Sequence, residues 1–527
     1  MTRFKLGGLL AGVVAISAIA TAGASADNQS GFKTSRPSML TPVMAGVSVE
    51  PLLTVGDRLN SGFRFEAVPD GIAVRMRGQG RVDLFINHET SKGPFPYNPS
   101  LWAANPGESQ NDFDNAQVSR VSLNQHSRGV LQGTYVIPSS LGYQRLCSNY
   151  LATKKEGFDR DILFTNEEAT DFVYRTGVAW PLNEPADPRT PEQAGVVVAY
   201  DVESRAYKTI FGMGRHNHEN NVALPWYGSP ALLSGDDTFS APSSQLYLYT
   251  ADDADEVWAD DGRLWALVSD NPNINDYGDL TVGGAVSGRF VEVPEAIAKG
   301  EQAGLETWSN ANNVFQFIRV EDIGYDRSQP GVVYVADTGE PRALPDTTTG
   351  RLRRAASGTT GPYPNGRIFR LELDPKDPTV VESLSILIDA DAGGYFGANP
   401  ALWASVLHQP DNLETTTKSL LIQEDPGSHQ QFSASTPNAT SARVWRYDLR
   451  TGTLEVVAQV DQSQDTTGAR LGAWESSGII DASNAFGPGA FLVDIQAGTI
   501  SLDRVVGPGT VLEREGGQLL LVRIPGA

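Results

Sequence analysis

Val444-Trp445-Arg446-Tyr447-Asp448 alternates its side chains, Thr451-Gly452 turns the chain, and Leu454-Glu455-Val456-Val457-Ala458 alternates again. Two short period-two runs joined by a Gly-containing turn make a β-hairpin. Working outward, Val196 to Phe211 repeats the pattern around Glu203-Ser204. Short apolar runs bounded by Asp or Gly recur in GRVDLFINHE from Gly80, DILFTNEE from Asp161, GVVYVADTGE from Gly331 and GRIFRLELDP from Gly366. They continue in KSLLIQED from Lys418, GAFLVDIQ from Gly489 and GQLLLVRI from Gly517. In SQLYLYTADDADEVWADDGRLWALVS from Ser244, the segment Glu256 to Ala259 reads as strand within a hairpin. Hairpins spread over most of the chain, without alternating amphipathic helices, indicate small sheets repeated around an axis. The expected fold is all-β, a β-propeller of six blades, with five and seven as the neighbouring alternatives. Polar and Pro-rich insertions near 90–120, 170–195, 270–310 and 340–365 read as excursions from the blades, and a short helix is expected within Val293 to Gly304.

The 527 residues carry 63 Asp plus Glu against 41 Lys plus Arg, a net charge of -22. Such a balance excludes a generic nucleic-acid binder, whose affinity comes from clustered cations. Hydrophobic residues at 40% are enough for a core, so the acidity does not signal disorder. The single cysteine, Cys147, permits neither an intrachain disulfide nor a multi-cysteine zinc site, and reads as packing. Residues 1–26 read as a secretory signal: Arg3 and Lys5, an apolar run from Leu9 to Ala20, and Ala24-Ser25-Ala26 before a cut at Asp27. Residues 27–527 are expected to form one propeller, exported to the periplasm or beyond, with no later stretch long and apolar enough to span a bilayer.

A propeller brings its inner strands to one axis, so the residues to seek are acidic ones at strand ends in several blades. Asn87-His88-Glu89, Asn166-Glu167-Glu168, His218-Glu219, Glu321-Asp322 and Asp411-Asn412 fit, as do Gly235-Asp236-Asp237 and Gln423-Glu424-Asp425. Each alone is an ordinary turn or strand cap. Together on an axis they would repel one another unless cations sat between them, and calcium, which takes six to eight hard oxygens, suits such a cluster. His218-Glu219-Asn220-Asn221-Val222 lacks the second histidine of a zinc-protease helix, and for His216 and His218 a structural role is as good a reading as ligation. Neither a nucleophile elbow nor a Walker loop is present. Asp389-Ala390-Asp391-Ala392-Gly393 breaks EF-hand spacing and reads as a loop. Arg319 lies two residues before Glu321, so on a strand both side chains share a face, either as an oxyanion site or as a salt bridge.

These motifs, in this order over about residues 60–500, resemble the PhoX-type alkaline phosphatase family of secreted propellers. GRVDLFINHE resembles its strand ending in Asn-His-Glu, MGRHNHEN its Gly-Arg-x-x-His-Glu, SGDDT its Gly-Asp-Asp, and QPDNLE its Pro-Asp-Asn-Leu. FIRVEDIGYD resembles its Arg-Pro-Glu-Asp segment with Val320 in place of Pro. The resemblance implies Glu168, Glu219, Glu321 and Asp411 as metal ligands and Arg319 as the phosphate contact and catalytic residue. With their motif neighbours the expected metal set is Asn166, Glu167, Glu168, Glu219, Asp237, Glu321 and Asp411. The family's Thr-Cys-Glu-Glu, whose Cys binds iron, reads Thr165-Asn166-Glu167-Glu168 here, which favours calcium over iron because an amide oxygen is no thiolate. The family's frequent twin-arginine leader is likewise replaced by a lone Arg3. The implied activity is hydrolysis of a small phosphomonoester. A non-enzymatic calcium-stabilised binding propeller and a phytase-like esterase using Glu475 are the alternatives.

Overall fold

A computed structural model describes residues 30–91, 110–173, 175, 192–238, 244–356, 358–394, 405–427, 439–507 and 510–527. The leader, residues 92–109 of the first long insertion, residues 176–191 of the second and His429 lie outside these residues. Antiparallel sheets form six blades whose inner strands are Pro69–Gly78, Leu146–Ala152, His218–Ala223, Val320–Tyr325, Pro410–Thr415 and Glu475–Asp481. Each inner strand lies against the next, and that of blade 6 against that of blade 1, so the ring is closed. The expected six-bladed propeller is the architecture found.

Closure uses both ends of the described chain. Ser48–Thr54 pairs antiparallel with Thr510–Arg523 as the outer strand of blade 6, and Leu40–Pro42 adds to the edge of blade 5. This pairing covers strand edges that would otherwise expose unpaired backbone groups. The hairpin expected from Val444 to Ala458 is the outer half of blade 5, where Arg443–Asp448 pairs with Leu454–Val460.

Apolar layers between blades hold the ring. Phe315, Phe317, Phe369, Leu233, Val333 and Val335 lie in one buried layer between blades 3 and 4, with Phe317 and Phe369 edge to face at 5.2 Å. Burying one such phenyl group contributes about 2 kcal/mol. The insertion between blades 3 and 4 holds helices Glu295–Ala298 and Gln302–Ala311, the second extending beyond the expected segment. Glu256 to Ala259, expected as strand, belongs instead to helix Ala254–Ala259. Asp253 caps that helix by accepting from Glu256 N at 2.9 Å, so local capping decides against the strand.

One irregularity recurs in all six blades. The register between inner strand and neighbour shifts at Pro69/Ile72, Leu146/Asn149, His218/Asn221, Val320/Ile323, Pro410/Leu413 and Ser477/Ile479. A bulge bends a strand and re-aims its side chains. In the first five blades the bulged pair is Asp70-Gly71, Cys147-Ser148, Glu219-Asn220, Glu321-Asp322 and Asp411-Asn412.

Candidate functional site

Those bulges build the site. Asp70, Cys147, Glu219, Glu321 and Asp411 each occupy the second position of an inner strand, and Glu475 the first position of the sixth. Their ligand atoms form overlapping clusters, Asp70 with Glu89 and Cys147, Cys147 with Glu168 and Glu219, and Glu219 with Glu321 and Asp411, each within 4.8 Å. The Cys147 thiol bridges two blades, donating to Asp70 Oδ2 at 3.0 Å and Glu219 Oε1 at 2.8 Å. Close packing is required here. At Gly478, with φ +53°, a Cβ would lie 2.4 Å from the Asp70 carbonyl oxygen, and at Gly71 one would lie 2.5 Å from Asn149 N.

A second set comes from the next strand of each blade. Glu89, Glu168, Asp237 and Asp425 immediately follow strands Arg81–His88, Ile162–Glu167, Ala231–Asp236 and Ser419–Glu424. Thr338 and Gln496 take the corresponding places in blades 4 and 6. Thr338 Oγ1 donates to Glu321 Oε1 at 2.8 Å, and Gln496 Nε2 donates to Asp70 Oδ2 at 3.0 Å and Glu89 Oε2 at 2.9 Å.

Strand alternation separates this set from the residues just before it. Glu167 accepts from Gln144 N, Gly195 N and Arg175 Nη2, the last at 2.8 Å. Asp337 accepts from Ile318 N and Arg319 N, and Glu424 from His408 N, Arg443 and Trp445 Nε1. These carboxylates tie blade loops together, while their C-terminal neighbours, pointing the other way, face the axis.

Burial dominates the electrostatics. It raises the carboxyl pKa of Asp70, against hydrogen bonds that lower it, and of Glu168, Glu219, Glu321, Asp411 and Glu475, where neighbouring carboxylates reinforce the rise. Glu89 is pushed up to about 8, first by burial and then by Asp70. Burial and the same carboxylates push the Cys147 thiol upward. Arg319 stands within this negative field, with Nη2 2.6 Å from Asp237 Oδ2 and 2.9 Å from Glu321 Oε1. Burial opposes its charge, but Asp237 and Glu321 outweigh burial and keep it protonated.

Of the expected residues, Glu168, Glu219, Glu321 and Asp411 are brought together, and Asp237 joins them through Arg319. Glu167 is not among them, because alternation turns it to Arg175. Nor is Asn166, which donates to the Ser148 carbonyl at 2.9 Å and accepts from Asn221 at 3.0 Å. Cys147, expected as packing, instead bridges the clusters. Asp70, Glu89 and Cys147 were outside the expected set; Glu89 ends a motif quoted for the resemblance, whereas Asp70 in VPDGIAV carries no such signal. His88 and His218 are buried and held by Glu66 O and Ser119, and by Gly214 O and Ser234. Burial lowers each to about 4, the state of a neutral structural imidazole. Asp391, in the loop that resembled a broken EF-hand, accepts from Asn365 N and Gly366 N.

No family model and no curated protein matches the chain. Among solved structures, PhoX of Pseudomonas fluorescens, in complex with the transition-state analogue vanadate, superposes with a TM-score of 0.61 at 15% identity, covering 94% of this chain and 98% of that one. The NanB sialidase of Streptococcus pneumoniae gives a TM-score of 0.38 at 8% identity, over 89% of this chain and 70% of that one, too distant to inform the site. The fold of this chain is thus PhoX-like, a six-bladed propeller with its acidic and thiol side chains gathered at the entry ends of the inner strands.

Proposed function

We propose that the protein hydrolyses small phosphomonoesters at this axial site with the help of bound metal cations. The observation that carries this reading is the gathering of carboxylates from five blades into overlapping clusters linked through Cys147 and Glu219, with Arg319 among them. Buried carboxylates so close together cannot all ionise without counter-charge. Asp70 Oδ1 and Asp237 Oδ1 are also buried without a hydrogen-bond partner, as expected of groups shaped to meet a cation. The residues therefore fit metal.

The donor types differ across the site. Glu219, Glu321 and Asp411 offer only hard oxygens and suit calcium. The two clusters that share Cys147 include a thiol, whose thiolate suits a softer transition metal such as iron. The thiolate that Asn166 cannot supply is thus available from the neighbouring strand of the same blade. Bound cations would supply Lewis-acid charge for the phosphoryl group and for its attacking water. Arg319 would turn its fork from Asp237 and Glu321, neutralised by those cations, to two phosphoryl oxygens and so stabilise developing charge. Thr338 and Gln496 would hold Glu321, Asp70 and Glu89 in orientation through the bonds given above.

The reading includes export, directed by the leader at residues 1–26, and a soluble state; among the described residues no helix is long and apolar enough to cross a membrane. The test is p-nitrophenyl phosphate turnover by the mature chain after chelation, then with calcium, iron or both restored. Activity that returns with metal is expected, and absence of turnover under every metal condition would overturn the proposal.

A further inference from the structure

The bulged strands repeat one more position. In each of the first five blades, the residue just before the inner strand lends its carbonyl oxygen to the N–H of the residue that follows the second strand. Glu89 N donates to Val68 O, Glu168 N to Arg145 O and Asp237 N to Asn217 O, each at 2.9 Å. Thr338 N donates to Arg319 O and Asp425 N to Gln409 O, each at 3.0 Å. Val68, Arg145, Asn217, Arg319 and Gln409 are therefore equivalent, and two of the five are cationic. Arg145 holds in blade 2 the place that Arg319 holds in blade 4.

The two guanidinium groups flank one candidate ligand, Glu168. Arg145 Nε donates to the Glu168 carbonyl at 2.9 Å, while the Glu168 carboxyl bonds Asp237, which in turn accepts from Arg319 Nη2 at 2.6 Å. Burial opposes the charge on Arg145, but Asp171, Glu168 and Glu89 outweigh it, so its fork stands beside carboxylates of the clusters that share Cys147. The two arginines differ in exposure. The Arg319 side chain is 4% exposed, whereas that of Arg145 is 35% exposed. Arg145 Nη2 holds Asp171 Oδ2 at 2.7 Å, and that carboxylate is itself 47% exposed. Among the described residues, Arg145 Nη1 has no partner. Exposed ion pairs contribute little, so exchanging Asp171 for another carboxylate costs little.

Cations bound at the centre would change what Arg145 sees. Glu89 and Glu168 would then face metal, leaving Asp171 alone to balance the guanidinium. A fork with an unused edge, partly open to solvent and beside a phosphoryl site, is matched to a second anion on the substrate. Of the anions such a fork fits, a carboxylate is the one Arg145 already holds, in Asp171.

We propose that Arg145 determines the specificity of the axial site, and that the substrate class is phosphomonoesters bearing a carboxylate a few bonds from the ester oxygen. The phosphoryl group meets Arg319 and the metals, and the carboxylate meets the Nη1 and Nη2 edge of Arg145. This preference rests on the phosphatase reading given above and concerns only the leaving group.

Phosphoserine and phosphoethanolamine differ by the carboxylate alone, and phosphate release by the mature chain with calcium and iron gives kcat/KM for each. Wild type is expected to favour phosphoserine by about tenfold or more, the usual effect of a charge-assisted contact, mainly through KM. Arg145→Gln should bring that ratio close to unity, and a preference absent from wild type or retained in the variant overturns the proposal. Because the readout is a ratio, general damage to the Glu168 loop cancels. Asp171→Asn, which releases the fork from its exposed partner, should raise the ratio about threefold, and an unchanged or smaller ratio overturns the assignment. Turnover of p-nitrophenyl phosphate without a preference for phosphoserine refutes only the carboxylate contact, whereas turnover of no ester refutes the phosphatase reading and the preference with it.

Discussion

Removing metal from the axial site should make stability fall as pH rises across the neutral range, the reverse of ordinary acid denaturation. Glu89 has a folded pKa of about 8 against an ordinary 4.5, and Asp322 about 8 against 3.8. For a carboxyl raised on folding, the native state holds a proton that the unfolded chain has released. Stability is therefore fully present below the unfolded pKa and is lost as pH climbs to the folded one, at about 1.4 kcal/mol per pH unit per group. His88 and His218, lowered to about 4 from 6.5, act with opposite sign, but only below pH 6.5. The clean window is thus pH 6.5 to 8, over which Glu89 and Asp322 should each remove about 2 kcal/mol. Glu515, raised to about 8, and Asp112, Asp337 and Asp391, raised to about 7, act in the same direction, so with an unfolding entropy of about 1 kcal/mol/K for a chain of this size the melting temperature should fall by at least about 4 °C. The assay is calorimetry of the chelated mature chain at pH 6.5, 7.25 and 8, repeated with calcium. Calcium should flatten the trend, because bound cations favour the ionised carboxylates at every pH in the window. Glu89→Gln should remove about 2 °C of it. A melting temperature of the chelated chain that stays level or rises between pH 6.5 and 8 would refute the reasoning, since it would mean these carboxyls are not held protonated by burial.

Arg319→Ala should lower kcat/KM for p-nitrophenyl phosphate by about 10²- to 10³-fold, the usual loss for a donor aimed at transition-state charge, while His126→Ala leaves it within about twofold; equal losses would remove Arg319 from the site. Cys147→Ser should reduce the iron retained per chain, measured by elemental analysis, with calcium retained, and unchanged iron would show that the thiol is not a ligand. Glu167→Gln should cost about 2 kcal/mol in urea unfolding, because it weakens the buried pair with Arg175, yet leave metal content unchanged; a drop in bound metal would contradict the alternation that separates Glu167 from Glu168.

Strand character was legible in the sequence because alternation and turn residues are local. The residues Val444 to Ala458 specify their hairpin without help from the rest of the chain, and the count of such hairpins is enough to indicate a propeller. Helix Ala254–Ala259 escaped because its deciding contact is one capping side chain, Asp253, inside a run whose composition also suits a strand.

The site was legible to the extent that it repeats. Glu168, Asp237 and Asp425 each follow an apolar strand and a preceding acid, so the doublets Glu167-Glu168, Asp236-Asp237 and Glu424-Asp425 announce themselves in sequence. Period two then assigns the roles within each doublet: the first carboxylate is consumed by backbone amides or arginine, and the second reaches the axis. Applied at the sequence level, that rule would have set Glu167 aside. The inner set is harder to read, because it depends on bulges, and a bulge is visible only in the pairing of two strands. Asp70 and Cys147 have nothing in common as local sequence, yet the bulges place them at equivalent positions of adjoining blades. Cys147 illustrates the consequence. Position 166 lies on the second strand of its blade, whereas the register pairs Leu146 with Glu167 and so sets the Cys147 thiol one residue along the inner strand from that pair. On the proposed reading, a donor absent from one strand of a blade is offered by the strand beside it, because what a metal requires is a position in space and not a place in the chain.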